Sequence, residues 1–103
     1  GEGEPLADPG AGASGEGAIR ILSGSNSGKE LMLTKSMTTL GKPGIQVAVI
    51  TRRPHGYFIS HVEGGTFPEV NGVPMDAQAR RLNDRDVLQI AGVQMEFRVK
   101  SAA

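Results

Sequence analysis

The sequence predicts an all-β chain that folds as a single β-sandwich. The last strand gives the clearest signal, because Val93, Met95, Phe97 and Val99 alternate with polar residues, a period of two that buries one face of a strand. Turn-forming residues interrupt the chain about every 8–12 positions, which is typical of sandwiches and barrels and not of alternating strands and helices. Residues 76–82 are compatible with a helix but too short to change the fold class.

Apolar runs earlier in the chain predict shorter strands of the same kind. Ile19 and Ile21 share one face of the first run, and Leu31 and Leu33 do the same around Met32. The residues between these runs, 24–28, are Gly, Ser and Asn, which form a turn. Further apolar or β-branched runs follow at residues 47–50 and 57–62. No internal repeat is visible, so one sandwich accounts for all of these strands.

The composition divides the chain into two parts. Residues 1–17 hold six of the 15 glycines and only Leu6 as a large apolar side chain. Such a segment cannot bury enough apolar surface to offset its ordering entropy. We therefore predict that residues 1–17 are a flexible acidic linker, or an added leader, and that residues 18–103 form the folded domain.

The formal net charge of zero conceals an uneven distribution of charge. Residues 1–17 carry four acidic residues and no Lys or Arg. Residues 18–103 carry all 11 basic residues and the remaining seven acidic ones, a surplus of four positive charges. This surplus suits an anionic peptide partner. It is small for a nucleic-acid-binding domain, where a pI above about 9 and a basic stripe are expected.

The residue types argue against catalysis and metal binding. Without Cys, a zinc site would need carboxylates beside His55 and His61, and His61 lies in an alternating strand that suits a structural imidazole. Ser60 and His61 are strand neighbours that point to opposite faces, so they cannot form a nucleophile–base pair. Residues Gly24–Lys29 fail the phosphate-loop pattern, with one residue too few between the glycines and Glu30 after the lysine. We predict no enzyme, no cofactor and no metal.

The chain also lacks the signals of a membrane or secreted protein. No apolar run approaches the ~20 residues that span a bilayer, and nothing resembles a signal peptide. The absence of Cys is compatible with the cytosol. We therefore predict a cytoplasmic location, which includes the cytoplasmic domain of a larger, membrane-associated protein.

The segment Thr51–His55, read as a loop between two strands, is the strongest candidate for binding. Arg52 and Arg53 place two planar guanidinium groups side by side, and this fork matches a phosphate or carboxylate. Pro54 stiffens the loop. Lys42 ends an earlier strand, so in a sandwich the two cationic segments are expected to share one rim. The alternative interpretation is a pair of solvated arginines on a surface turn.

In order and spacing, these residues resemble a forkhead-associated domain. The family pattern is Gly-Arg, a Ser-Arg-x-His loop, an Asn-Gly-Thr-x-Val-Asn-Gly turn and then Leu-x-x-Gly-Asp. Gly41-Lys42, Arg52–His55, Val70–Gly72 and Leu82–Asp86 match these four parts in turn. The resemblance covers about residues 19–99. It implies a SMAD/FHA-type sandwich of about eleven short strands whose loops at one end hold a phosphothreonine peptide.

The resemblance also implies roles for single residues. Arg53 would contact phosphate, with Lys42 in place of the family's arginine and Arg52 or Thr51 in place of its serine. Thr66 stands where the family's peptide-gripping asparagine belongs. The phosphopeptide-binding set implied in this way is Lys42, Thr51, Arg52, Arg53, Thr66 and Asn71. The residues expected to support that site are Gly41, His55 and Gly72. One further departure from the pattern is Arg85, which replaces a glycine.

The predicted function is therefore that of a signalling module that binds a protein through a phosphothreonine-containing peptide. The alternative is a phosphate-independent assembly domain that has lost phosphopeptide recognition, because the serine and asparagine of the pocket are replaced. Either function implies a protein partner and a longer parent protein. Nucleic acid is not an expected partner, since the four aromatic residues form no stacking platform.

Overall fold

The computed structural model describes residues 16–100, and these residues form ten strands. The strands are β1 Gly17–Ile21, β2 Glu30–Met32, β3 Met37–Lys42, β4 Gln46–Arg53, β5 Gly56–Glu63, β6 Glu69–Val70, β7 Val73–Pro74, β8 Arg80–Arg81, β9 Val87–Ile90 and β10 Val93–Val99. Most of the segment predicted as a linker lies outside the described residues. Its last residue, Gly17, begins β1.

Two antiparallel sheets form the domain, which confirms the predicted all-β sandwich. One sheet has six strands in the order β2-β1-β10-β9-β6-β7, and the other has four in the order β3-β4-β5-β8. The stretch 76–82 contains the short strand β8 and no helix. Within residues 16–100, no helix is long and apolar enough to cross a membrane.

The core lies between the sheets and is built by the alternation seen in the sequence. Met95 and Phe97 of β10 are buried, while Val93 and Val99 at its ends are half-buried. The ring of Tyr57 from β5 packs against Phe97 with a centroid separation of 5.3 Å. The remaining fully buried large aliphatic side chains come from both sheets: Ile19, Leu33, Ile50, Ile59, Val70, Leu88 and Ile90.

Strand β4 connects two ends of the sandwich that carry different candidate residues. At one end, Lys42 of β3 pairs with Gln46 of β4. At the other end, Arg53 of β4 pairs with Gly56 of β5. We call these the Lys42 end and the Arg53 end. Seven residue steps of about 3.3 Å separate them along β4, or about 23 Å.

The basic segment differs from its predicted form as a loop. Thr51, Arg52 and Arg53 continue β4, and only Pro54 and His55 connect it to β5. The hairpin can be this tight because Gly56 adopts a φ of 142°, which side chains with a Cβ rarely tolerate. The arginines therefore belong to a paired strand and not to a mobile connection.

Candidate functional site

The Lys42 end begins with a tight turn between β3 and β4. The backbone N–H of Ile45 donates to the carbonyl of Lys42 at 3.0 Å. Gly41 precedes this turn with a φ of 108°. A Cβ at Gly41 would collide with the carbonyl oxygen of Gln46, so only glycine allows β3 and β4 to approach here. The turn thus fixes the backbone position from which the Lys42 side chain extends.

Gln46 is the side chain that organises this end. It is 8% exposed, and its Nε2 donates to the carbonyl of Thr66 at 2.7 Å and to Thr66 Oγ1 at 3.2 Å. Its Oε1 accepts from the backbone N–H of Ala91 at 2.7 Å. One amide therefore joins the β3–β4 turn, the β5–β6 connection and the β9–β10 turn. Each such bond contributes about 1 kcal/mol, and a buried polar group left without a partner costs more.

Two shallow grooves flank the β3–β4 turn. One, of about 270 Å³, is lined by Lys42 together with Ser25 and Asn26 of the β1–β2 turn. The other, of about 300 Å³, is lined by Ile45 and Thr66 among others. These grooves give the Lys42 end a cation beside hydroxyl and amide groups, and a second depression that is partly apolar.

Exposed apolar side chains lie at the same end of the sandwich. Ile45 is 62% exposed and Val62 is 58% exposed. The backbone of Gly64 packs against the carbonyl oxygen of Ile45, since a Cβ at Gly64 would lie 2.6 Å from it. Ile45 and the β5–β6 connection are therefore neighbours, and this rim offers apolar contact area to a partner.

The charge at the Lys42 end is mixed. Glu63 accepts a hydrogen bond from the backbone N–H of Gly44 at 2.8 Å through Oε2. This bond holds a carboxylate on the β3–β4 turn. Lys42 therefore acts beside a negative group.

The Arg53 end is more cationic. The Cζ of Arg53 lies 5.2 Å from the centroid of the Phe58 ring, a cation–π arrangement. Arg52 donates from Nη1 to the carbonyl of Thr34 at 3.1 Å. Arg81 pairs with Phe58 across β5 and β8. Sequence analysis missed Arg81, which lies 28 positions from Arg53 and is brought near it only by the sheet order.

The residues of the predicted Val-Asn-Gly turn serve the fold. Glu69 pairs with Gln89 and Val70 with Leu88, so β6 runs away from the Lys42 end and Asn71 turns at its far side. There Asn71 Nδ2 donates to Asp86 Oδ1 at 2.9 Å, and its Oδ1 accepts from the backbone N–H of Val87 at 2.9 Å. Gly72 completes the turn with a φ of 83°.

The predicted site residues thus divide into two groups. Gly41, Lys42 and Thr66 meet at the Lys42 end. The remaining predicted residues lie toward the opposite end: Thr51, Arg52, Arg53, His55, Asn71 and Gly72. The expectation that the two cationic segments share one rim is wrong, because antiparallel pairing places the β3–β4 and β4–β5 turns at opposite ends of β4.

The histidines show no metal site. His55 is an exposed residue of the β4–β5 turn. His61 stacks on Phe67 with centroids 4.3 Å apart, and its Nε2 lies 3.0 Å from the carbonyl oxygen of Gly64. Across residues 16–100, no group of three His, Cys, Asp or Glu side chains is arranged to hold a metal ion.

Comparison with known proteins identifies the fold. No family model matches the sequence, and no curated protein matches it. Seven solved chains match, among them the structure named Rv0020c_FHA Structure, with a TM-score of 0.67 and 19% sequence identity over 88% of this chain and 100% of that chain. This chain has the forkhead-associated fold. At this identity the likeness shows the fold alone.

Some of the motif matches meet in this structure and others do not. Gly41-Lys42 and Thr66 converge on Gln46. The matches at Arg53 and His55 do not reach that end. Gln46, and not His55, is the buried side chain that makes hydrogen bonds at the Lys42 end. The sequence marks Gln46 only as a polar residue directly before the apolar run 47–50.

Proposed function

We propose that this domain is a protein-interaction module that binds a phosphothreonine peptide with the loops at the Lys42 end. The observation that carries the proposal is the convergence of Lys42, Ser25 and Asn26 on one groove in a forkhead-associated fold. An ammonium beside a hydroxyl and an amide supplies a charge and several donors, which is the chemistry that a phosphate group recognises. The proposal assigns the domain to recognition and not to catalysis, in a cytoplasmic setting.

The second groove would accommodate residues next to the phosphothreonine. Thr66 Oγ1 already accepts a hydrogen bond from Gln46, so its hydroxyl hydrogen remains available to a peptide carbonyl. Ile45 and Val62 would contact apolar flanking side chains. Because Gln46 holds the three connections together, little backbone ordering would accompany binding, and this limits the entropic cost.

The expected affinity depends strongly on Lys42. A hydrogen bond to a charged group contributes about 1.5–3 kcal/mol, and the phosphate carries a charge of about −2. Replacing Lys42 by Ala should therefore weaken binding by about tenfold to a hundredfold. Lysine lacks the bidentate geometry of arginine, so we expect moderate affinities.

A second candidate function is phosphate-independent assembly. The bond from Gly44 N–H to Glu63 favours it, because it holds a carboxylate on the β3–β4 turn that Lys42 begins. In that case the exposed Ile45 and Val62 would carry the contact with the partner and Lys42 would contribute little. An apolar contact of this kind would depend weakly on salt.

A peptide library separates the two functions. We would screen the full chain against phosphothreonine, phosphoserine and unphosphorylated versions of the same peptides, and compare Lys42→Ala with Arg53→Ala and Arg20→Ala. The proposal predicts binding confined to phosphothreonine peptides and weakened by about tenfold or more in Lys42→Ala alone. Equal binding of unphosphorylated peptides, reduced by Ile45→Ser, would establish the assembly function instead. Loss of peptide binding in Arg53→Ala, with binding by Lys42→Ala unchanged, would overturn both functions proposed for the Lys42 end.

A further inference from the structure

Two guanidinium groups converge on one stretch of β5 at the Arg53 end. Arg53 lies over the Phe58 ring. Arg81 packs against Gly56, since a Cβ added there would lie 3.3 Å from Arg81 Nε. Tyr57 between these positions is buried, so Phe58 and its cross-strand neighbour Arg81 belong to the outer face of the four-stranded sheet. The two arginines thus flank one aromatic side chain on an exposed face.

Neither of these arginines forms an ion pair with an acidic residue among residues 16–100. The ion pairs within 4.0 Å in residues 16–100 all involve Asp84 or Arg98. Arg20 differs, because its cross-strand neighbours are Glu30 and Glu96. Like charges placed close together repel each other. An oxyanion bound between Arg53 and Arg81 would remove this repulsion and would match the guanidinium geometry.

We propose that Arg53, Phe58 and Arg81 form a binding site for a carboxylate-rich peptide, and that its occupant is the acidic N-terminal segment of this chain, residues 1–16. This site is separate from the one proposed at the Lys42 end. The segment contains Glu2, Glu4, Asp8 and Glu16 and no basic residue. Its charge therefore complements that of the site.

The position where this segment joins the fold supports the assignment. The backbone N–H of Gly17 donates to the hydroxyl of Tyr57 at 2.8 Å, and Tyr57 pairs with Arg52, the residue next to Arg53. The segment therefore joins the domain at the Arg53 end. From Gly17 to Asp8 an extended chain reaches about 30 Å, which exceeds the smallest extent of the domain, 21 Å.

Because the acidic segment is tethered to the domain, weak contacts are enough for it to occupy the site. A short flexible linker gives an effective concentration in the millimolar range, so a site with millimolar affinity for carboxylates would be partly occupied. Exposed ion pairs are individually weak and are screened by salt. The occupancy should therefore fall steeply as the salt concentration rises, and a second acidic peptide should compete for the site.

The test compares the full chain with its Glu2→Gln, Glu4→Gln, Asp8→Asn variant, which neutralises the segment without shortening it. We would record the backbone amide signals of Gly56 and Phe58 and the side-chain Nε signals of Arg53 and Arg81. The proposal predicts that these signals differ between the two proteins at low salt. It also predicts that they coincide at about 0.5 M NaCl, where the Debye length is only a few ångströms. Coincident signals at low salt would overturn the assignment of the segment as occupant.

A peptide with the sequence of residues 1–10, added in trans, tests the site itself. It should bind the neutralised chain at least about twofold more tightly than the natural chain, because the tethered competitor is lost. In the neutralised chain, Arg53→Ala and Arg81→Ala should each weaken binding about two- to fivefold, whereas Arg20→Ala should not. Failure of the peptide to bind, or an equal effect of Arg20→Ala, would overturn the site. Lys42→Ala should leave these measurements unchanged, so this proposal and the phosphopeptide proposal can fail separately.

Discussion

The two ends of the sandwich present different chemistry on the same pair of strands. At the Lys42 end, hydrogen bonds from Gln46 join three connections between strands. Lys42 lies there among hydroxyl, amide and carboxylate groups. The Arg53 end is a two-residue hairpin flanked by guanidinium groups and Phe58. Charge alone would favour an anion at the Arg53 end, whereas we propose the phosphopeptide site at the Lys42 end, where Lys42, Ser25 and Asn26 line one groove. Residues that lie close together in the sequence can therefore lie far apart in the structure when consecutive strands run in opposite directions.

The largest expected contrast between the ends concerns their glycines. Gly41→Ala would drive a Cβ into the carbonyl of Gln46, which is backbone and cannot move aside. We expect a loss of about 3 kcal/mol or more in the free energy of unfolding. Gly56→Ala also strains a positive φ, but its nearest neighbour is the flexible side chain of Arg81, so we expect about 1–2 kcal/mol. Urea unfolding of both variants measures the difference, and equal losses would show that the ends are not built differently.

The next largest effect is expected at Gln46. In Gln46→Leu the backbone N–H of Ala91 and the carbonyl of Thr66 lose their partners, and we expect about 2–4 kcal/mol of destabilisation. Asp84→Ala, which removes the exposed hydrogen bond from the Val99 N–H at the other end, should cost about 1 kcal/mol. Denaturant unfolding again provides the measurement. A Gln46→Leu variant as stable as Asp84→Ala would contradict the organising role of Gln46.

A smaller effect is expected where β1 begins. Tyr57→Phe keeps the ring that packs on Phe97 but removes the acceptor of the Gly17 N–H. We expect a loss of about 1 kcal/mol, together with faster amide exchange at Gly17. Exchange at Ala91, at the Lys42 end, should not change. Faster exchange at both positions would mean that the two ends open as one unit.

The smallest effect is expected at Arg85, where the family pattern has glycine. Its φ of 74° lies in the left-handed region, which costs about 1 kcal/mol for a residue with a Cβ. Arg85→Gly should therefore stabilise the domain by about 0.5–1 kcal/mol, with Arg85→Ala near neutral. Thermal unfolding of both variants checks the prediction, and a destabilised glycine variant would show that Arg85 makes a compensating contact.

Sequence patterns predicted the fold well because the alternation in β10 and the spacing of turns are local signals. They also placed Gly41 and Lys42 correctly at the end of β3. They misjudged the basic segment, because a two-residue turn at Pro54 and His55 extends β4 as far as Arg53. Whether Lys42 and Arg53 lie at the same end of the sandwich depends on how many times the chain reverses direction between them. Local residue patterns do not give that number. Gln46 and Arg81 were missed because their partners are distant in the chain.

Chemical-shift mapping of a bound phosphothreonine peptide tests the division between the two ends most directly. The full chain, labelled with ¹⁵N, would be titrated with the tightest phosphothreonine peptide from the library screen. The account predicts shifts in the backbone amides of Ser25, Lys42 and Thr66, with those of Gly56 and Phe58 changing little. Shifts confined to Gly56, Phe58 and Arg81 would contradict it and would place phosphate recognition at the Arg53 end.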